Sequence, residues 1–301
     1  MTSISATSSA SFGEFTVRRS RGLMSDAWRR LIRSWNGRVG LFVVSVVIII
    51  GALMPIVSPY DPHVDSNLAE SAMSPSRQHI FGTDRLGRDI FRRILHGTRI
   101  SLTIGIVVVV MAGSTGTVLG LMAGYFRGSV DSVIMRLMDV LLAFPGILLA
   151  IAIVAVRGPG LTNAMIAVSF VGIPGYARVV RSMVLSIRER DFIMAARTVG
   201  ANDLRIMFHH ILPNSLSPLI VQATLGVGGA ILFAAALGFL GLGAQPPAPE
   251  WGAMIGDAIP FLRQAPYMVF FPGVAIMICV LGFNLLGDGL RDALDPQTTE
   301  R

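Results

Sequence analysis

Few side chains in this sequence can do chemistry, and their types exclude more than they permit. All 25 basic residues are arginine. Without a lysine the chain has no G-x-x-x-x-G-K-[ST] loop to hold terminal phosphates, and lysine Schiff-base or Ser-Lys chemistry is closed to it as well. His63, His79, His96, His209 and His210 form no H-E-x-x-H pair. His79 and His96 have no carboxylate or second histidine at ligand spacing, so both read as polar residues of an interfacial stretch. Cys279 lies in an apolar run without a second cysteine and reads as a small packing residue. No catalytic residue, metal site or resident cofactor is expected.

What remains is a long charged stretch between apolar segments, residues 188–218. Glu189 to Val199 holds good helix formers without Pro or Gly. Gly200 can take the positive φ that ends a helix, and Leu204 to Leu212 resumes a helical pattern until Pro213 stops it. The reading is a helix, a sharp turn through Gly200, Ala201, Asn202 and Asp203, and a short second helix carrying Arg205. The paired Ala195 and Ala196 leave a low-relief surface against which another backbone can pack. His209 and His210 read as a polar face of the second helix.

The elements that must hold this stretch are apolar. With 52% hydrophobic and 14% charged residues and a mean hydropathy of +0.65, the chain is no ordinary soluble domain. The fold class expected is all-α, a polytopic membrane protein of six transmembrane helices with both termini cytoplasmic. The net charge of +7 raises nucleic acid as a partner, but the arginines are dispersed among apolar spans and orientation in a membrane explains them better.

Residues 1–38 form a basic N-terminal tail, in which Arg18, Arg19, Arg21, Arg29, Arg30, Arg33 and Arg38 precede the first uncharged run. That run, Val39 to Val57, is long enough to span a bilayer, and the arginines put its start in the cytoplasm. Pro55, Pro59 and Pro62 end it, and residues 58–98 make an external segment. There Asp84 and Asp89 lie within reach of Arg85, Arg88, Arg92 and Arg93, while Ile90, Phe91, Ile94 and Leu95 suggest a short amphipathic interfacial helix.

Residues 99–296 hold the other five spans and the loop, taken as 186–218, and 297–301 form a short tail. Ile100 to Gly124 carries Gly116, Gly120 and Gly124 on one face, the spacing that lets helices approach closely. Asp139 reads as an i,i+3 partner of Arg136, and Pro145 and Gly146 as a kink in the third span. The fourth span, Leu161 to Ala177, contains Pro174; the fifth runs from Leu219 to Gly243 and the sixth from Met268 to Leu286.

The 188–218 stretch resembles the cytoplasmic loop of ABC importer permeases, whose pattern is Glu-Ala-Ala, three residues, Gly, nine residues, Ile, any residue, Leu-Pro. Ala195, Ala196, Gly200, Leu212 and Pro213 match it. Met194 stands where the pattern has Glu, and His210 where it has Ile, with Ile211 one place later. His79-x-x-Gly-Thr-Asp-x-x-Gly-Arg-Asp89, the Gly238 to Gly252 stretch and the ending from Asn284 to Pro296 look like the C-type permease of dipeptide and oligopeptide importers. The resemblance covers about residues 39 to 296.

It implies a subunit forming half of a translocation path in a bacterial or archaeal plasma membrane. The implied partners are a homologous second permease, two ATPase subunits that bind ATP and Mg, an extracytoplasmic peptide-binding protein and membrane lipid. It also implies that the 188–218 loop docks on the ATPase. Permeases for glutathione, D-amino-acid dipeptides and nickel complexes are alternatives. From another class, a stand-alone secondary transporter or channel would place ionisable groups near mid-membrane, where only Asp139 and Asn284 come close. The substrate-binding residues are not legible.

Overall fold

The computed structural model describes residues 23–61 and 65–294. Arg18, Arg19, Arg21, Pro62, His63 and the tail 297–301 lie outside them. Twelve α-helical segments follow in order among the described residues: α1 Leu23–Arg33, α2 Trp35–Val57, α3 Ile90–Phe126, α4 Gly128–Ala143, α5 Gly146–Arg157, α6 Leu161–Ile187, α7 Asp191–Thr198, α8 Asp203–Arg205, α9 Leu212–Asn214, α10 Leu216–Phe239, α11 Trp251–Ala258 and α12 Tyr267–Leu294. Among the described residues the one β-bridge joins Thr83 to Asp89.

Five helices, α2, α3, α6, α10 and α12, are long and apolar enough to cross a membrane. A sixth crossing exists only if α4 and α5 count as one span, because they meet at 91°. The expected kink at Pro145 is therefore a full break. Phe144 and Pro145 are extended, and Pro145 stands at the N-cap of α5, where its missing N–H costs nothing.

Other expectations also shift. Pro55 lies inside α2, which runs to Val57. The stretch read as a separate interfacial helix, Ile90 to Leu95, is the first turns of α3. At 37 residues, α3 is about 55 Å long by helix geometry and overruns a hydrocarbon core of about 30 Å. Asp139 pairs with Arg178 of α6, at 2.5 Å, rather than with Arg136.

The bundle is built around α3, which packs along α6 and also meets α2 and α10. Gly116, Gly120 and Gly124 line its contact with α6. A Cβ built on Gly116 would stand 2.5 Å from the Tyr176 Cβ, one on Gly120 2.5 Å from the Ala177 carbonyl oxygen, and one on Gly124 2.7 Å from the Val184 Cβ. In lipid the tails are as apolar as the side chains, so close backbone approach and dispersion hold helices together. The same device joins α2 to α12, where a Cβ on Gly289 would meet the Gly37 Cα at 2.5 Å.

At the end of α3 opposite the 188–218 loop, the short helix α11 folds back into the bundle. Glu250 caps it by accepting from the Gly252 and Ala253 amides, both at 2.8 Å. Burial raises the Glu250 carboxyl pKa, opposed by those two amides. Trp251 Nε1 donates 3.1 Å to the Ile94 carbonyl and so ties α11 to α3.

Replacing Gly120 with Val should lower the thermal midpoint of the purified protein and cost about 1–3 kcal/mol, because the obstructing atom is backbone and cannot rotate away. Gly229, where an added Cβ meets nothing within 4 Å, should accept Ala with little change. Equal midpoints for the two variants would refute this packing account.

Candidate functional site

The loop between α6 and α10 is short of regular helix but tightly hydrogen-bonded. α7 ends at Thr198, and Gly200 follows at φ +82°. The Gly200 amide donates to the Arg197 carbonyl at 2.9 Å and the Ala201 amide to the Ala196 carbonyl at 3.0 Å, the paired bonds of a Schellman turn. Only a residue at ease with positive φ closes this turn, which is why glycine sits there. Asn202 then caps the next turn, its Oδ1 accepting from the Arg205 amide at 2.8 Å.

Helical winding continues through a π-helical stretch, Ile206–Ile211, into α9. Pro213 does not stop the chain as expected, and only Ser215 separates α9 from α10. A proline ring clashes with the carbonyl four residues earlier in a regular helix, and the wider π turn directly before Pro213 is where the chain accommodates it.

One side of the loop is buried and the other bare. Ile193, Ile206, Met207 and Ile211 form a small core with Leu121, Tyr125, Val180, Val184 and Ile187 at the ends of α3 and α6. Outward lie Met194, Val199, Leu204 and Phe208, with Val199 84% and Leu204 64% exposed. Ala195, Ala196, Gly200, Ala201 and Arg205 line one groove of about 430 Å3, edged by Phe192, Val199 and His210. Asn202 serves the turn, Leu212 packs against the small core, and Pro213 is exposed on the flank. Asp203 faces α3 instead of the groove.

That last contact belongs to a set the sequence did not reveal. The Tyr125 hydroxyl donates to Asp203 at 2.6 Å, and the Arg197 guanidinium lies 5.4 Å from the Tyr125 ring centroid. Arg188 Nη1 donates to the Tyr125 carbonyl at 2.5 Å and the Gly124 carbonyl at 3.3 Å. These carbonyls belong to the last turn of α3, which has no intrahelical donors for them, and a cation there also meets the negative end of the helix dipole. Burial, then the neighbouring Arg127, lower the Arg188 pKa from its ordinary value. Arg127, held at φ +56°, reaches Glu189 at 2.7 Å.

The loop is thus clamped to α3 while its groove and apolar rim stay open. It offers a shaped surface for another protein and no constellation for bond-making. Among the described residues no group of His, Cys, Asp and Glu is arranged to hold a metal ion. At the opposite end, His79 lies 2.8 Å from Asp89 and 3.4 Å from Glu70, carboxylates that its sequence spacing had not offered it.

Known proteins share both the sequence and the architecture. Residues 116–300 match the family model described as binding-protein-dependent transport system inner membrane component. Residues 22–75 match the N-terminal TM domain of oligopeptide transport permease C. The dipeptide transport system permease protein DppC of Alkalihalophilus pseudofirmus is 53% identical over 90% of this chain and 89% of its own length. The glutathione transport system permease protein GsiD of Pectobacterium atrosepticum is 50% identical over 90% of each. The di/tripeptide transport system permease protein DppC of Pseudomonas aeruginosa is 44% identical over 91% and 92%. A solved chain of the MetNI methionine ABC transporter, described as inward facing, superposes with a TM-score of 0.57 at 19% identity, covering 68% of this chain and 98% of that one. The last likeness concerns the fold alone.

If Tyr125 and Asp203 act as a unit, the double-mutant cycle of Tyr125→Phe and Asp203→Ala should give a coupling energy of about 1 kcal/mol in reversible detergent unfolding. Amide exchange over residues 206–211 should quicken in both single variants. A coupling energy of zero would mean that the loop is held by its apolar contacts alone.

Proposed function

The chain belongs to the binding-protein-dependent transport system inner membrane components, and from that premise we propose that it forms half of the translocation path of an ATP-driven importer for dipeptides or short peptides. It is a multi-pass protein of the inner membrane, and permeases of this kind work with ATPase and substrate-binding partners. On our reading those are a homologous second permease, two ATPase subunits that carry ATP and Mg, and an extracytoplasmic peptide-binding protein. Both termini and the 188–218 loop then face the cytoplasm.

The observation that carries the reading is the loop itself. Its groove is lined by small residues and edged with exposed apolar side chains, on a backbone that Gly200 turns and Tyr125, Arg188 and Arg127 fasten to α3. A rigid, low-relief surface of this kind suits a partner's cleft, and force applied there reaches α3 without first deforming the loop. A peptide cargo is supported by the dipeptide permease at 53% identity. The glutathione permease at 50% identity favours a second reading within the same chemistry, since glutathione is itself a tripeptide.

Ala196 is already buried at the foot of the groove, so Ala196→Asp would bury a carboxylate without a partner and cost several kcal/mol in the loop itself as well as at the docked surface. Gly200→Val would force a β-branched residue to positive φ, at about 1–3 kcal/mol. Both variants should reach the membrane at near-normal levels, yet lose the ATPase in pull-down and lose uptake in vesicles. Substitutions within Thr2 to Ser11 should be silent. Intact assembly and uptake in both loop variants would reduce residues 188–218 to a connector. The isolated chain, lacking any lysine for a phosphate loop, should neither bind nor hydrolyse ATP, and substantial hydrolysis by it would overturn the assignment.

A further inference from the structure

We propose that α1 is an anchor for anionic phospholipid, lying along the membrane surface with Trp28, Ile32 and Trp35 sunk among the acyl chains and arginines beside the headgroups. Leu31 seats α1 on the bundle. It is buried, its Cδ1 3.1 Å from where a Cβ on Gly289 of α12 would stand and 2.7 Å from one on Gly37 of α2. Ser34 fixes the corner between α1 and α2, its hydroxyl donating to the Leu31 carbonyl and accepting from the Gly37 amide, both at 3.0 Å. The neighbouring apolar side chains stay bare. Trp28 and Ile32, one helical turn apart, are 52% and 42% exposed, and Trp35, at the first position of α2, is 71% exposed. A helix of 11 residues is marginal in water by itself, so an apolar row left open beside one seated side chain calls for a cover.

The position and charge of that row identify the cover. Trp35 opens the apolar helix Trp35–Val57, so the row runs into a membrane-crossing surface at the level where indole rings settle, between headgroups and acyl chains. A soluble partner would have to share Trp35 with lipid. Arg29 and Arg33, both exposed, each follow a residue of the row and stand on its flank, and the Arg38 guanidinium lies 5.7 Å from the Trp35 ring centroid. Residues 23–38 hold four arginines against one carboxylate, Asp26. Asp288, Arg291 and Asp292 at the adjoining end of α12 leave this corner positive. An apolar row with tryptophans at its ends and arginines on its flank suits the boundary of an anionic leaflet. The leaflet is the cytoplasmic one on the reading that both termini face the cytoplasm, but the binding itself does not depend on that orientation.

The test is amide exchange of residues 24–33, read by mass spectrometry on the intact complex in nanodiscs, which expose both leaflets. Nanodiscs of phosphatidylcholine alone are compared with nanodiscs that also contain phosphatidylglycerol. Phosphatidylglycerol should slow the exchange by roughly fivefold or more, the factor that one arginine near an anionic surface supplies. High salt should shrink the difference. The double variant Arg29→Gln, Arg33→Gln changes only exposed side chains, so it should fold, keep the ATPase in pull-down and lose the difference between the lipids. Phosphatidylglycerol carrying a photoreactive acyl chain should label residues 28–35 of the unaltered protein. Equal exchange in the two lipids, or no label on that segment, would overturn the proposal. Loss of the ATPase from the arginine variant would also overturn it, making α1 a subunit contact while leaving the 188–218 docking surface untouched.

Discussion

The structure depends on how closely α3 can lie against α6. In a bilayer the hydrophobic effect does not drive helix from helix-facing lipid, and only contact distance and hydrogen bonding distinguish the right neighbour. Gly116, Gly120 and Gly124 remove the side chains that would hold the two backbones apart, and the replacing atoms are largely backbone and β-carbons of α6. Once these helices are fixed, their final turns form the floor on which Ile193, Ile206, Met207 and Ile211 settle. The loop's shape is therefore a consequence of helix packing several turns away.

The two ends of α3 are finished in different chemistry. At the loop end, Arg188 takes the unpaired carbonyls of Gly124 and Tyr125, and Tyr125 returns a hydrogen bond to Asp203. At the other end, Asp89 caps the helix by accepting from the Arg92 amide at 2.9 Å, Asp84 gathers Arg88 and Arg93, and Trp251 pins α11 across the helix. A helix longer than the membrane is thick thus carries a clamp at each end. It touches both the loop and the opposite polar cluster.

What the sequence made legible was local. The Gly200 turn follows from glycine's tolerance of positive φ, and the apolar runs and glycine spacing give spans and candidate packing faces. What it hid was non-local: Tyr125 meets Asp203 across 78 residues, and Asp139 finds Arg178 on another helix instead of Arg136 one turn away. His79 gained carboxylates at Glu70 and Asp89 only because the segment before α3 folds back on itself. Pro145 announced only a kink, and the full break of 91° between α4 and α5 depends on what each half packs against. Glu250 offered no cue that its carboxylate would be buried as a helix cap, since a glutamate before Trp-Gly reads equally as a surface residue.

The central claim is that residues 188–218 are a rigid docking surface for a separate ATPase. Site-directed cross-linking tests it most directly. With Cys279→Ala to remove the single native thiol, Val199→Cys would place a thiol on the groove rim and Val156→Cys one at the opposite end of the bundle, at positions 84% and 89% exposed in the present chain. Treated in native membranes with a short reagent that joins a thiol to an amine, the Val199→Cys protein should form an adduct with the ATPase subunit, and the Val156→Cys protein should not. Absence of that adduct from Val199→Cys, or its appearance from Val156→Cys, would contradict the account.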